Sequence, residues 1–177
     1  MKLHYSIVLA SIFALAQLQL IAQITTTTVR EAILTADTVL LVSHNLTEQR
    51  IVDDKIGGQV RKSPPVVLRG RPNKKIIHET ALLNSVLKNQ LIAILTQPNN
   101  EGERNSMRCF LPHHSILLIK NGKTSFIEIC FACKNLLASK GVGISDINYP
   151  TVMWTQLESF FSSQGIKFQI PNDKDKQ

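Results

Sequence analysis

The chain has 177 residues, a formal net charge of +7, and a composition that is 44% hydrophobic and 19% charged. That length suits one domain with a real core, and beyond the N-terminus no apolar stretch reaches the roughly 20 residues a bilayer span requires. Three cysteines allow at most one intramolecular disulfide and leave one thiol over.

The N-terminus, Met1-Lys2-Leu3-His4-Tyr5-Ser6, leads into an apolar run from Ile7 to Ala16 with a softer extension to Ala22. A basic start, a short apolar stretch and small residues near a cut form the anatomy of a secretory signal peptide. Cleavage is expected between Ala22 and Gln23, with the cut after Ala14-Leu15-Ala16 as the alternative. Gln17 and Gln19 interrupt the run too early for a membrane anchor, and no Cys near the cut offers a lipidation site. The expected organisation is a signal peptide over residues 1–22, a single domain over 23–170 and a flexible tail over 171–177. The mature chain is expected to be exported, periplasmic or secreted, and not transmembrane.

Thr28-Val29-Arg30-Glu31 reads as a capping box, and it predicts a helix over 29–35. Residues 38–43 are β-rich and nearly all apolar, which suits a buried strand. Asn45-Leu46-Thr47 is a glycosylation sequon, meaningful only in a eukaryotic secretory pathway. Between Arg50 and Lys75 the chain holds Arg50, Lys55, Arg61, Lys62, Arg69, Arg71, Lys74 and Lys75 against only Asp53 and Asp54, with Gly57, Gly58, Pro64, Pro65, Gly70 and Pro72 among them. A long, partly irregular excursion is expected there, with a short strand at 66–69. Its charges would serve solubility or a weak, salt-sensitive contact with an anionic surface or cell-envelope polymer, for which Arg61, Lys62, Arg69, Arg71, Lys74 and Lys75 are the candidates. Nucleic acid is not expected as a partner, because export argues against it and no aromatic residue interleaves the cations as a stacking platform requires.

A strand is expected over 75–83, with His78 as a packed or surface residue. Asn84 or Ser85 then caps a helix whose stripe is Leu87, Leu91, Ile94 and Leu95. Pro98 ends it, and 99–106 is a polar loop. Two β-rich runs, 115–120 and 124–130, flank Asn121-Gly122, the strongest short-range hairpin signal. Residues 135–140 read as a helical stretch. A last helix is expected over 151–163, with Trp154, Leu157, Phe160 and Phe161 on one side and Gly165 beyond its end. No regular strand–helix–strand alternation is present. The fold class is therefore α+β, a mainly antiparallel sheet with a hairpin at about 115–130, packed by two to four helices.

A two-residue turn at Asn121-Gly122 sets Lys120 opposite Lys123, Leu117 opposite Phe126, Ser115 opposite Glu128 and His113 opposite Cys130. One face then carries His113, Ser115, Glu128 and Cys130, with Cys109 sharing their parity if the strand runs back past Pro112. The other face, Ile116, Leu118, Ile127 and Ile129, is expected to meet the core. A one-residue bulge would bring His114 to the place of His113.

Three readings compete for Cys109, Cys130, Cys133 and His113. A structural zinc site would use three sulfurs and one imidazole. A redox-active Cys130-Phe131-Ala132-Cys133 pair would draw on the N-terminus of a following helix. A structural disulfide between two of the three cysteines, or buried thiols, is the third. Glu128 could act as a base beside Ser115, though a cross-strand hydrogen bond between them is the commoner outcome. No Gly-rich phosphate loop, Gly-x-Ser-x-Gly elbow or His-Glu-x-x-His occurs.

Cys109-Phe110-Leu111-Pro112-His113-His114-Ser115-Ile116, Ile129-Cys130-Phe131-Ala132-Cys133 and the closing Leu157-Glu158-Ser159-Phe160-Phe161 before Gly165-Ile166 resemble a group of uncharacterised exported bacterial proteins. Their pattern is Cys-x-x-Pro-[Arg/His]-[His/Asn] followed by Ile-Cys-Phe-x-Cys. The similarity covers the C-terminal half well and the N-terminal half in outline. His113 stands where that group tends to have Arg, and Ala132 where it tends to have Glu, so a metal role for His113 would be peculiar to this chain. The resemblance implies export and a shared fold. The leading expectation is a non-enzymatic binding or structural domain without a catalytic residue or cofactor. Its rivals are a thiol-disulfide active protein using Cys130 and Cys133, and a zinc domain.

Overall fold

Five β-rich segments build the main sheet, and three amphipathic helices cover it. The computed structural model describes residues 27–51, 61–62, 64–97, 109–144 and 149–170. The expected signal segment 1–22, the expected polar loop 99–106, the expected tail 171–177, and Lys55 with its acidic neighbours lie outside the described residues.

In chain order the elements are β1 (Thr27–Thr28), α1 (Val29–Thr35), β2 (Thr38–His44), β3 (Glu48–Ile51), β4 (Arg61–Lys62), β5 (Val67–Leu68), β6 (Arg71–Pro72), β7 (Ile77–Leu82), α2 (Ser85–Leu95), β8 (Cys109–Phe110), β9 (His114–Lys120), β10 (Lys123–Cys130), β11 (Asn135–Ala138), β12 (Val142–Gly143) and α3 (Thr151–Ser163). The main sheet runs β11-β10-β9-β2-β7, and every neighbouring pair in it is antiparallel. The protein is thus α+β, as its sequence pattern implies. Among the described residues no helix is long and apolar enough to cross a membrane.

The β9–β10 turn has φ +51° at Asn121 and +72° at Gly122, the two positive values of a type I′ turn, whose twist matches that of the strands. The register follows from it: Lys120 pairs with Lys123, Leu117 with Phe126 and Ser115 with Glu128. On one face Val39, Leu41, Ile116, Leu118, Ile127 and Ile129 pack against Ile33 of α1, Leu91 and Leu95 of α2, and Leu157 and Phe161 of α3. On the other, Val42 and Leu117 meet Val66 and Ile76 in a second, smaller core. Both faces of β2 and β9 are covered, which explains their almost unbroken apolar runs. The basic segment therefore does more than carry charge, because Val66 within it and Ile76 just after it cover one side of the sheet.

Local signals set the helix ends. Thr28 Oγ1 accepts the Glu31 amide at the start of α1, and Asn84 Oδ1 accepts the Leu87 amide at the start of α2. At the end of α3, Gly165 adopts φ +83°. Its amide donates to Ser162 O while the Ile166 amide donates to Phe161 O, the paired bonds of a Schellman motif. That reversal sends Lys167 and Phe168 back towards β7.

Two expectations are corrected, and one open condition is decided. Residues 135–138 form strand β11 rather than the start of a helix over 135–140. Asn135 pairs with Cys130 and Ala138 with Ile127, and this ladder overrides the modest helix propensity of Asn-Leu-Leu-Ala. The β9 strand does not run back past Pro112, since β8 pairs with β3 in a separate sheet of order β4-β3-β8. Finally, ladder pairing between β9 and β10 ends at His114 and Ile129, so His113 lies just before β9 rather than as a strand partner of Cys130.

Candidate functional site

Successive residues of a strand point to opposite faces. The dipeptides Ser43-His44 at the end of β2 and His114-Ser115 at the start of β9 therefore each place one polar side chain on either side of the sheet. Because Ser43 pairs with His114 and Val42 with Ser115, two polar clusters meet back to back at one corner.

On the helix side, Ser43 Oγ donates to Glu79 Oε2 at 2.6 Å. The same oxygen accepts the amides of Lys167 and Phe168, each at 3.0 Å. Burial alone would raise the Glu79 pKa. The Ser43 hydroxyl and these two amides outweigh it and hold the carboxyl below its ordinary value of 4.5. Beside it, His114 Nε2–H donates to Phe168 O at 2.7 Å, and its ring packs on Phe131 and Phe161 at 4.8 and 5.8 Å between centroids. Burial among these rings pushes its pKa down to about 4. His114 is therefore a neutral core histidine, on the opposite face from Ser115 and Glu128.

On the other side, His44 Nδ1–H donates to the Asn45 carbonyl at 2.8 Å. This fixes the tautomer, so Nε2 accepts from the Ser115 hydroxyl, also 2.8 Å away. Burial lowers the His44 pKa and keeps the ring neutral. A hydroxyl donating to an imidazole whose far nitrogen is anchored resembles a nucleophile and its base. The Glu128 carboxylate opposite Ser115 accepts the Thr47 hydroxyl at 2.5 Å, so each expected partner in the Ser115–Glu128 pair has a bond from elsewhere in the chain. His113 Nδ1–H donates to His44 O at 3.3 Å. His78 donates to Asn45 Oδ1 at 2.7 Å and lies against Phe168 at 4.3 Å.

Cys130 and Cys133 form a disulfide across the β10–β11 turn. Lys134, at φ +50°, supplies the left-handed residue that closes the four-residue loop. The neighbouring Phe131 is turned under α3 against Phe161. Cys109 lies in β8, part of the β4-β3-β8 sheet. The disulfide takes up two of the three sulfurs a zinc tetrahedron would use, and among the described residues no group of three or more His, Cys, Asp or Glu side chains has metal-holding geometry. A helix N-terminus that would activate Cys130 or Cys133 is also missing, because β11 occupies that position. The Cys130→Ala/Cys133→Ala double variant is expected to lose about 2 kcal/mol, the loop-closure value for so short a ring. Thermal unfolding would read this as a fall of roughly 4–8 °C. An unchanged midpoint would mean that the staple contributes nothing to the fold.

The basic candidates fall on separate elements. Arg61 and Lys62 form the backbone of β4, Arg69 lies in the β5–β6 turn with Arg71 just after it, and Lys74 and Lys75 lie exposed in the turn before β7. On the outer side of the helices, an open groove of about 540 Å³ separates α2 from α3, with Gln90, Ala93, Ile94, Gln156, Ser159 and Phe160 among its walls.

Ser43, His44, Thr47 and Glu79 were not legible as site residues. The only local hint is a polar pair, Ser43-His44, closing an otherwise apolar strand. No family model, curated protein or solved structure matches the chain.

Proposed function

We propose that this protein is an exported, non-enzymatic domain that acts by binding, with its hairpin end held by the Cys130–Cys133 disulfide. The observation that carries this reading is the sealing of the groups that would do chemistry. Ser115 and His44 are 0% exposed, His114, Cys130 and Cys133 1%, and Glu128 5%. Acyl transfer requires a substrate carbonyl in contact with the serine oxygen. Disulfide exchange requires a thiolate that can approach a sulfur atom directly. Neither approach is open at this corner. A signal-like N-terminus and a closed disulfide are both at home in an oxidising compartment, and the resemblance to exported bacterial proteins points the same way. What the fold leaves accessible is surface: the groove between α2 and α3 and the exposed basic turns.

The test is thiol titration of native and denatured protein purified from an export host, with intact mass before and after reduction. The expected results are resistance of the native disulfide to mild reductant, one titratable thiol per chain after denaturation, and an N-terminus at Gln23. Native protein that catalyses reduction of a peptide disulfide, or three titratable thiols on denaturation, would overturn the reading in favour of a thiol-active protein.

A further inference from the structure

Two turns of the same geometry lie side by side at one end of the main sheet. Arg69-Gly70 joins β5 to β6 with φ +52° and +75°, and Asn121-Gly122 joins β9 to β10 with φ +51° and +72°. The Thr124 amide donates to the Gly70 carbonyl at 3.0 Å. That bond closes the edge of β10 where β11 has run out, since the β11 ladder ends at Ala138 and Ile127 and Ser139 satisfies Phe126. Strand edges are commonly covered in this way. Here the cover brings Arg69 and Arg71 to the turn that carries Lys120 and Lys123. Only half of this group lies in the basic stretch of the sequence.

Three features of the group work against the fold in isolation. Lys120 and Lys123 are direct cross-strand partners, and like charges so placed repel. Arg69 occupies the left-handed region that Asn or Gly fills at far less strain in a type I′ turn. All four cations are exposed, and among the described residues none of them forms an ion pair. The Asp37 carboxylate, which reaches this end of the sheet, accepts the Asn121 amide at 2.8 Å. A fifth residue sets the chemistry of the partner. Leu68, directly before Arg69 and paired with Arg71, is 51% exposed.

We infer that these two turns form a contact site for an anionic lipid bilayer, with Arg69, Arg71, Lys120 and Lys123 on the phosphate headgroups and Leu68 entering the boundary with the acyl chains. The inference rests on the binding reading above and names the partner. The leucine separates lipid from a soluble polyanion, because a phosphate polymer offers phosphates but no apolar phase to receive Leu68. Each basic side chain near such a surface strengthens attachment about fivefold, and salt screens that gain.

The experiment is sedimentation of the exported, processed protein with phosphatidylcholine vesicles, with and without phosphatidylglycerol, at low and high salt. Binding is expected only to the anionic vesicles, falling roughly tenfold or more at high salt. The Arg69→Asn/Lys123→Gln variant should bind at least tenfold more weakly by the same reckoning. It relieves both the Arg69 strain and the Lys–Lys repulsion, so it should fold at least as well as the parent, and misfolding cannot explain its loss. Leu68→Ser should weaken binding by roughly fivefold. Equal binding by parent and variant, equal binding to neutral vesicles, or binding to long-chain polyphosphate without binding to vesicles would each overturn the inference. The thiol titration is read on the same preparation, so failure here is distinguishable from failure of the non-enzymatic reading.

Discussion

Lowering the pH from 7 to 5 should cost the domain about 2 kcal/mol of stability through His114 alone, approaching about 3 kcal/mol near pH 4. The folded protein holds this imidazole at a pKa of about 4, against an ordinary value of 6.5, because protonation would bury a cation among Phe131, Phe161 and the sheet. Between those two values the unfolded chain takes up a proton that the folded chain refuses, so acid favours unfolding. Above pH 6.5 neither state is protonated, and below about 4 both are, so the loss is confined to that window. His44, also depressed by burial, acts in the same direction. Glu79 acts lower down. Its folded pKa lies below 4.5, so its contribution is complete above that value and disappears only as the pH falls through the folded one. Urea unfolding at pH 7 and pH 5 measures the effect. His114→Gln keeps a side-chain N–H for Phe168 O and should remove about half or more of the pH-dependent loss. A variant with the same loss as the parent would place the proton uptake elsewhere.

The acid sensitivity and the sealed corner share one physical origin, and it explains what the sequence could and could not reveal. Features decided by neighbouring residues were legible. The Asn121-Gly122 turn set the hairpin register, Thr28 and Asn84 announced two helix starts, and Gly165 marked the end of α3. Features decided by distant residues were not. Ser43 finds Glu79 across 36 positions, His44 finds Ser115 across 71, and Glu79 receives the Lys167 and Phe168 amides across 88 and 89. Periodicity can assign Ser115 and Glu128 to one face, but it cannot show that the face is closed by Val66 and Ile76 from a segment that looked irregular and basic. The expected strand at 66–69 ends at Leu68, and Arg69-Gly70 is a turn that local sequence does not announce: Arg is a poor resident of the left-handed region, so the dipeptide carries no hairpin signal. At 135–138 the local preference was readable, and the β10 ladder overrode it.

Phe161→Ala should be the most damaging single change on α3, at roughly 3–5 kcal/mol. The ring is 0% exposed and meets Phe131 and His114 edge to face, with centroids 5.5 and 5.8 Å away, an arrangement that adds to simple burial. Val152, on the same helix but 53% exposed, is the internal control: Val152→Ala should stay within about 0.5 kcal/mol of the parent. Domains of this kind have about 5–15 kcal/mol in total, so Phe161→Ala is expected to leave a small margin; Phe161→Leu, which leaves a smaller cavity, gives a milder second point on the same scale. The truncation also bears on the acid window. Removing the ring opens the space beside His114 to water, and a hydrated imidazole regains its ordinary affinity for a proton. The Phe161 variants should therefore be less stable at pH 7 yet lose less between pH 7 and pH 5 than the parent. Two effects of opposite sign from one substitution are hard to mimic by general loosening. If urea unfolding instead showed the full acid loss on top of the truncation penalty, the rings would not be what keeps His114 neutral, and the aromatic packing under α3 would be separate from the polar corner it covers.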